Sequence, residues 1–164
     1  MTELQYIKLT SFFRKTKLRE NIMKCLCKFT PLIVVLIYLF SLVFLFINKN
    51  DKLLMFTFVP ASNFIFITIL RKVLNKPRPY DLFNHVPLVS YTKGKGKSFP
   101  SRHTSSAFII AISYFYIGSI PLGLFMIFIA FIIGLSRVVA GVHFLKDIIA
   151  ATLISILWSC VYLV

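Results

Sequence analysis

Apolar positions in this chain come as long uninterrupted runs separated by short polar stretches, not as the alternation of half-buried strands. Five runs stand out: residues 29–47, 53–70, 105–118, 122–135 (extendable to 139) and 148–164. The first is about as long as a bilayer core requires. The pattern predicts an all-α integral membrane bundle of about five transmembrane helices. Residues 48–52 form a polar turn between the first two runs, and Ile120-Pro121 turns the chain between the third and fourth. Pro60 and Asn63 lie inside the second run. A proline is tolerated in a span when a neighbouring group satisfies the carbonyl it frees, and a buried Asn is expected to hydrogen-bond across helices.

Ahead of the first run, Leu4, Ile7, Phe12, Phe13, Leu18, Ile22 and Leu26 are interleaved with seven basic residues: Lys8, Arg14, Lys15, Lys17, Arg19, Lys24 and Lys28. No compact apolar core with a small-residue cleavage site is present, so this is not read as a cleavable signal. The interleaving predicts an amphipathic basic helix, broken near Thr10 and Ser11, lying on the membrane surface against anionic lipids. The aromatic residues in it favour a helix over a disordered tail. The chain therefore divides into a basic N-terminal segment, 1–28, and a membrane-embedded domain, 29–164.

Composition sharpens the class. The chain is 58% hydrophobic and only 15% charged, against roughly a quarter charged in a soluble domain. The net charge of +14 raises nucleic acid as a partner, but no nucleic-acid-binding signature is present. A basic membrane protein is better explained by anionic headgroups and by loop charge bias. Cys25, Cys27 and Cys160 make neither a disulfide framework nor a metal set. Cys160, in an apolar run, reads as packing.

If successive runs cross the membrane as hairpins, the polar stretches 71–102 and 136–147 share one face. Three constellations meet there. In 136–147, Arg137 is followed by five residues and His143, and Asp147 lies four positions further on. Residues four apart share a helix face, so Asp147 can orient the imidazole. The other ring nitrogen is then free to act as nucleophile or base. Ionisable groups beside a span are costly and default to a functional reading; the plainer alternative is a loop anchored by Arg137 and Lys146. In Lys76-Pro77-Arg78-Pro79, prolines fix the backbone around Arg78, whose planar fork suits phosphate oxygens. In Pro100-Ser101-Arg102-His103, Ser101 is a helix N-cap. His103 then sits in the first turn, where free N–H groups favour an anion. His85, in the intervening loop, reads as solvated or interfacial.

Arg78-Pro79, Pro100-Ser101-Arg102-His103 and Ser136-Arg137…His143…Asp147 resemble, in order and spacing, the motifs of the type 2 phosphatidic acid phosphatase family, whose fold is shared with vanadium-dependent haloperoxidases. The resemblance covers residues 71–147. It departs where the family has lysine seven positions before the Arg-Pro arginine: Arg71 stands there, with Lys72 next to it. The family also has two complete spans before the first motif region, where one is legible here.

The resemblance implies a membrane lipid phosphatase that removes the terminal phosphate of a lipid phosphate or diphosphate, with no cofactor and no metal. His143 would be the nucleophile, Asp147 its partner and His103 the acid. Arg71, Arg78, Ser101, Arg102 and Arg137 would bind the phosphate. The acids, Glu3, Glu20, Asp51, Asp81 and Asp147, are too scattered to supply the several oxygens a hard cation needs. A non-catalytic lipid-phosphate binder on the same scaffold is the alternative; a haloperoxidase fits poorly with the membrane spans.

Sidedness is argued both ways. Seven basic residues in 1–28 and eight in 71–102 place both on the cytoplasmic side by charge bias. The resemblance implies the outer face of the cell membrane. Three of the loop arginines, Arg71, Arg78 and Arg102, are claimed by the substrate, and the site is read as extracytoplasmic.

Overall fold

The computed structural model describes residues 2–163. Seven α-helices follow in order: α1 (Glu3–Arg14), α2 (Lys17–Ile47), α3 (Leu53–Leu74), α4 (Pro79–Leu82), α5 (Arg102–Tyr116), α6 (Ile120–Val139) and α7 (Leu145–Trp158). A short 3-10 turn, Ser159–Leu163, ends the described chain. No strand occurs among the described residues. Val164, the last residue of the fifth apolar run, lies outside the described residues.

The five apolar runs correspond to α2, α3, α5, α6 and α7. Four of these, the last taken together with its 3-10 turn, are long and apolar enough to cross a membrane. The protein is thus a multi-pass membrane bundle. α5 has 15 residues, fewer than the roughly 20 a bilayer core needs. It packs against α3, α6 and α7, and most of its side chains are buried. Phe56, Ile109, Tyr114 and Met126, all fully buried, form the centre of the main core. The outward surface is apolar as well: Phe40 is 74% and Leu54 75% exposed. This inside-and-outside hydrophobicity is what lipid as solvent permits.

Both prolines inside long helices are compensated from a neighbouring element. A proline has no N–H to give to the carbonyl four residues before it. Pro60 in α3 frees the carbonyl of Phe56, which accepts the Tyr38 hydroxyl of α2 at 3.0 Å. Pro31 in α2 frees the carbonyl of Cys27, which accepts Nη2 of Arg137 at 2.9 Å. Asn63 is fully buried, as expected; its Oδ1 accepts the Ser105 hydroxyl at 2.8 Å, and Ser105 meets Ser155 at 2.9 Å, tying α3, α5 and α7.

Three local expectations are corrected. The N-terminal segment is helical, but its break falls at Lys15–Thr16, not at Thr10 and Ser11. Thr16 starts α2, its hydroxyl accepting the Arg19 N–H at 3.4 Å. Thr10 stays in α1, its hydroxyl bonded back to the Tyr6 carbonyl at 2.9 Å. α2 then runs unbroken through residue 28, because the shift from basic to apolar composition there is not a backbone signal. Cys160 is exposed in the 3-10 turn instead of packed. The turn before α6 is made by Gly118, at φ +87°, and Ser119; Pro121 sits in the first turn of α6, where it needs no partner for a missing N–H.

Candidate active site

The two polar stretches expected on one face do meet. Leu88 N–H bonds the Ala140 carbonyl at 3.0 Å, and Ser101 N–H bonds the Asp147 carbonyl at 3.0 Å. Between them lies a cavity of about 210 Å³ lined by Arg71, Arg78, Arg102, Arg137, His103 and His143, with Val89, Ser90 and Val142. No lining residue is acidic, so the cavity is a focus of positive charge.

His143 stands in the turn between α6 and α7, and Asp147 in the first turn of α7. Both are buried. His143 Nδ1 lies 3.1 Å from Asp147 Oδ2, so the neutral ring keeps its lone pair on Nε2. The same Oδ2 accepts the Ser98 hydroxyl at 2.5 Å and the Phe144 N–H at 3.0 Å. Burial pushes the His143 imidazole below the ordinary histidine range, while the Asp147 hydrogen bond pulls it back up; burial wins. Asp147 Oδ1 is buried with no hydrogen-bond partner among the described residues.

Arg71, Arg78 and Arg137 are each held by backbone carbonyls and not by an acid, so their charge stays available. Arg71, on the last turn of α3, donates to the Pro100 carbonyl at 2.6 Å. Lys72, one position on, is exposed and does not line the cavity. Arg78 donates from Nε to Gly96 at 3.2 Å and from Nη1 to Val142 at 3.4 Å. Asp81 anchors the backbone of Arg78 by accepting its N–H at 3.0 Å and steadies the glycine-rich loop through Gly94 N–H at 2.9 Å. Arg137 is fixed by the carbonyl that Pro31 frees, and its buried Nε has no partner among the described residues. Arg102 and His103 project from the start of α5, and both are exposed.

Ser101 occupies the N-cap position of α5 without capping it. Its hydroxyl is fully buried and accepts the Thr104 hydroxyl at 2.9 Å. His85, expected to be solvated, is buried, with Nε2 3.1 Å from the Gly141 carbonyl. Sequence reasoning missed Ser98, which no motif marks, and Ser90 and Val89, which lie in the loop before the glycines.

Two further hollows adjoin the cavity. An apolar groove of about 190 Å³, lined among others by Pro31, Val34, Phe64 and Ile110, shares Arg102 and His103 with it. A basic hollow of about 630 Å³, which includes Lys24 and Lys28, shares Arg137, Val89 and Ser90.

A membrane helical bundle with a cationic cavity backed by a buried His–Asp pair defines the class: an integral membrane helical protein that carries a positively charged cavity. The chain belongs to the PAP2 superfamily, whose family model matches residues 52–164. The fold is similar to the crystal structure of Aquifex aeolicus LpxE, with 25% identity, a TM-score of 0.75, and coverage of 97% of this chain and 92% of that one. It is also similar to a transmembrane PAP2 type phosphatidylglycerolphosphate phosphatase from Bacillus subtilis, with 21% identity, a TM-score of 0.60, and coverage of 97% and 90%. No curated protein matches the chain significantly.

Proposed function

We propose that the protein is a lipid phosphatase of the cell membrane that removes the terminal phosphate of a lipid phosphate or diphosphate through a phosphohistidine at His143, without a metal. The observation that carries this reading is the convergence of four guanidinium groups and a neutral, carboxylate-backed imidazole on one small cavity. Phosphoryl transfer needs positioning and charge neutralisation more than covalent assistance. Arg71, Arg78, Arg102 and Arg137 neutralise the phosphate oxygens, and the Arg102 N–H adds a hydrogen bond at the start of α5; the Ser101 hydroxyl, buried outside the cavity lining, supports that turn through Thr104 instead of meeting the phosphate.

His143 Nε2 attacks phosphorus, and the bond from phosphorus to the lipid oxygen breaks. That oxygen takes the electron pair and a proton from His103. His103 then takes a proton from water, the water oxygen attacks the phosphohistidine, and the nitrogen–phosphorus bond breaks to release phosphate. The apolar groove meets the cavity at His103 and Arg102, so a lipid chain lying in it puts the leaving oxygen beside the acid. Polyprenyl diphosphates such as undecaprenyl diphosphate, phosphatidylglycerol phosphate and phosphatidate all carry the required group. The site faces the extracytoplasmic side.

Phosphate release by detergent-solubilised protein in excess EDTA, across a panel of those three lipids, tests the reading. Sustained release with a preference for one lipid is expected. Binding of the lipids without release would make the protein a non-catalytic binder, and loss of release in EDTA would restore a metal.

A further inference from the structure

α1 lies outside the region matched by the family model, which begins at residue 52. It nevertheless reaches the loop that carries His143. Four consecutive carbonyls of that loop each accept a hydrogen bond, and the donors come from separate places. Ala140 takes the Leu88 N–H at 3.0 Å, and Gly141 faces His85 Nε2 at 3.1 Å. Val142 takes Arg78 Nη1 at 3.4 Å. The carbonyl of His143 itself takes the Tyr6 hydroxyl at 2.9 Å, across 137 positions of sequence.

Tyr6 is fully buried. Its ring stacks on His85 at 5.4 Å and meets Phe144 edge-on at 5.8 Å. Burial pushes the phenol well above its ordinary value, so it is a hydroxyl donor throughout the working pH range. The helix is fastened at both ends to the segment bearing His85. Glu3 accepts the Asn84 N–H at 2.8 Å, and Arg14 donates to the Val86 and Pro87 carbonyls at 2.9 Å each. Gly141 has φ +76°, and a Cβ there would meet His85 Nε2 at 2.6 Å. The loop's backbone is therefore shaped to receive this layer. A helix resting on lipid headgroups alone has no reason to bury a tyrosine against the main chain of another segment.

We propose that Tyr6 is a positioning residue for the His143 nucleophile, with α1 acting as a clasp on the catalytic loop. Asp147 and Ser98 orient the ring from within; Tyr6 fixes the backbone from which the ring projects. The proposal rests on the reading of His143 as nucleophile. Misplacing a reacting group by about 1 Å costs on the order of 100-fold in rate, and a loosened loop costs part of that.

Tyr6→Phe tests this, since it keeps the ring packing and removes only the donor. kcat is expected to fall roughly tenfold with KM unchanged, and the amides of Val142 and His143 to exchange faster. Tyr38→Phe is the control: it removes a comparable hydroxyl-to-carbonyl bond, to Phe56, in the main core. It should leave kcat and the exchange of those two amides unchanged. Equal kcat for Tyr6→Phe and the unsubstituted protein overturns the proposal, as does an equal fall in both variants that tracks their unfolding temperatures. His143→Ala is assayed alongside. An inactive His143→Ala with a fully active Tyr6→Phe removes the clasp alone, whereas an active His143→Ala removes the functional reading beneath it.

Discussion

At the scale of single residues, the site turns on how one imidazole is kept neutral and aimed. Burial disfavours the imidazolium form of His143 and holds it below the ordinary range, against the pull of Asp147. The proposed nucleophile is the neutral form, lost by protonation as pH falls through this lowered value. The acid limb of kcat/KM is therefore expected below the ordinary histidine value of about 6.5. A pH profile with that limb at or above 6.5 would mean that the group controlling activity is not this buried ring. The His143–Asp147 relation was legible in the sequence because it is local, four positions along a nascent helix. Ser98 and Tyr6 were not legible, because their partners lie 49 and 137 positions away and nothing in a serine or a tyrosine announces a distant carbonyl or carboxylate. His85 was misjudged for the same reason: a loop position says nothing of a helix folded over it.

At the scale of elements, helix periodicity decides which basic residue meets the substrate. Arg71 and Lys72 are neighbours on α3, and successive helical positions point about 100° apart. Arg71 lines the cavity and Lys72 does not. Arg71→Ala is expected to lower kcat/KM at least 100-fold, as for other lost transition-state contacts, and Lys72→Ala no more than about twofold. The reverse ranking in a steady-state assay would mean that α3 binds substrate in another register. The apolar runs located all five bundle helices, because the hydrophobic run is a direct signal. What they did not reveal was where α2 begins. Its basic first turns and its lipid-facing length are one helix, and charge composition changes along it while the backbone does not. Nor did they reveal the use of Pro31, whose effect appears only when Arg137 arrives from α6 to take the freed Cys27 carbonyl.

For the whole molecule, charge distribution and site geometry bear on which side of the membrane the cationic cavity faces. Most of the chain's +14 charge lies in α1, the start of α2 and the site loop, which the fold gathers at one end. Charge bias would place that end in the cytoplasm, yet α1 is docked on the catalytic loop and the arginines on the cavity. Arg71, Arg78 and Arg137 are turned onto the site, whereas Lys8, Lys15, Lys17 and Arg19 stay exposed and still argue for the cytoplasmic side. Lys95 is exposed in the glycine-rich loop beside the site. Lys95→Cys in a Cys25, Cys27 and Cys160 triple Ser background is expected to react with a membrane-impermeant thiol reagent in intact cells. Labelling only after lysis would put the site in the cytoplasm.

The central claim is that phosphate passes through His143, and the most direct measurement is phosphoryl occupancy of that residue during turnover. Protein mixed with a lipid diphosphate, quenched in alkali where phosphohistidine survives, and read by peptide mass should carry one phosphoryl group on the His143 peptide. With a substrate whose leaving group needs no protonation, that species should accumulate in His103→Ala, where water is no longer activated, and be absent from His143→Ala, which should fold but release no phosphate. Phosphate release from His143→Ala near the rate of the unsubstituted protein, or a phosphoryl group on any other residue, would contradict the account.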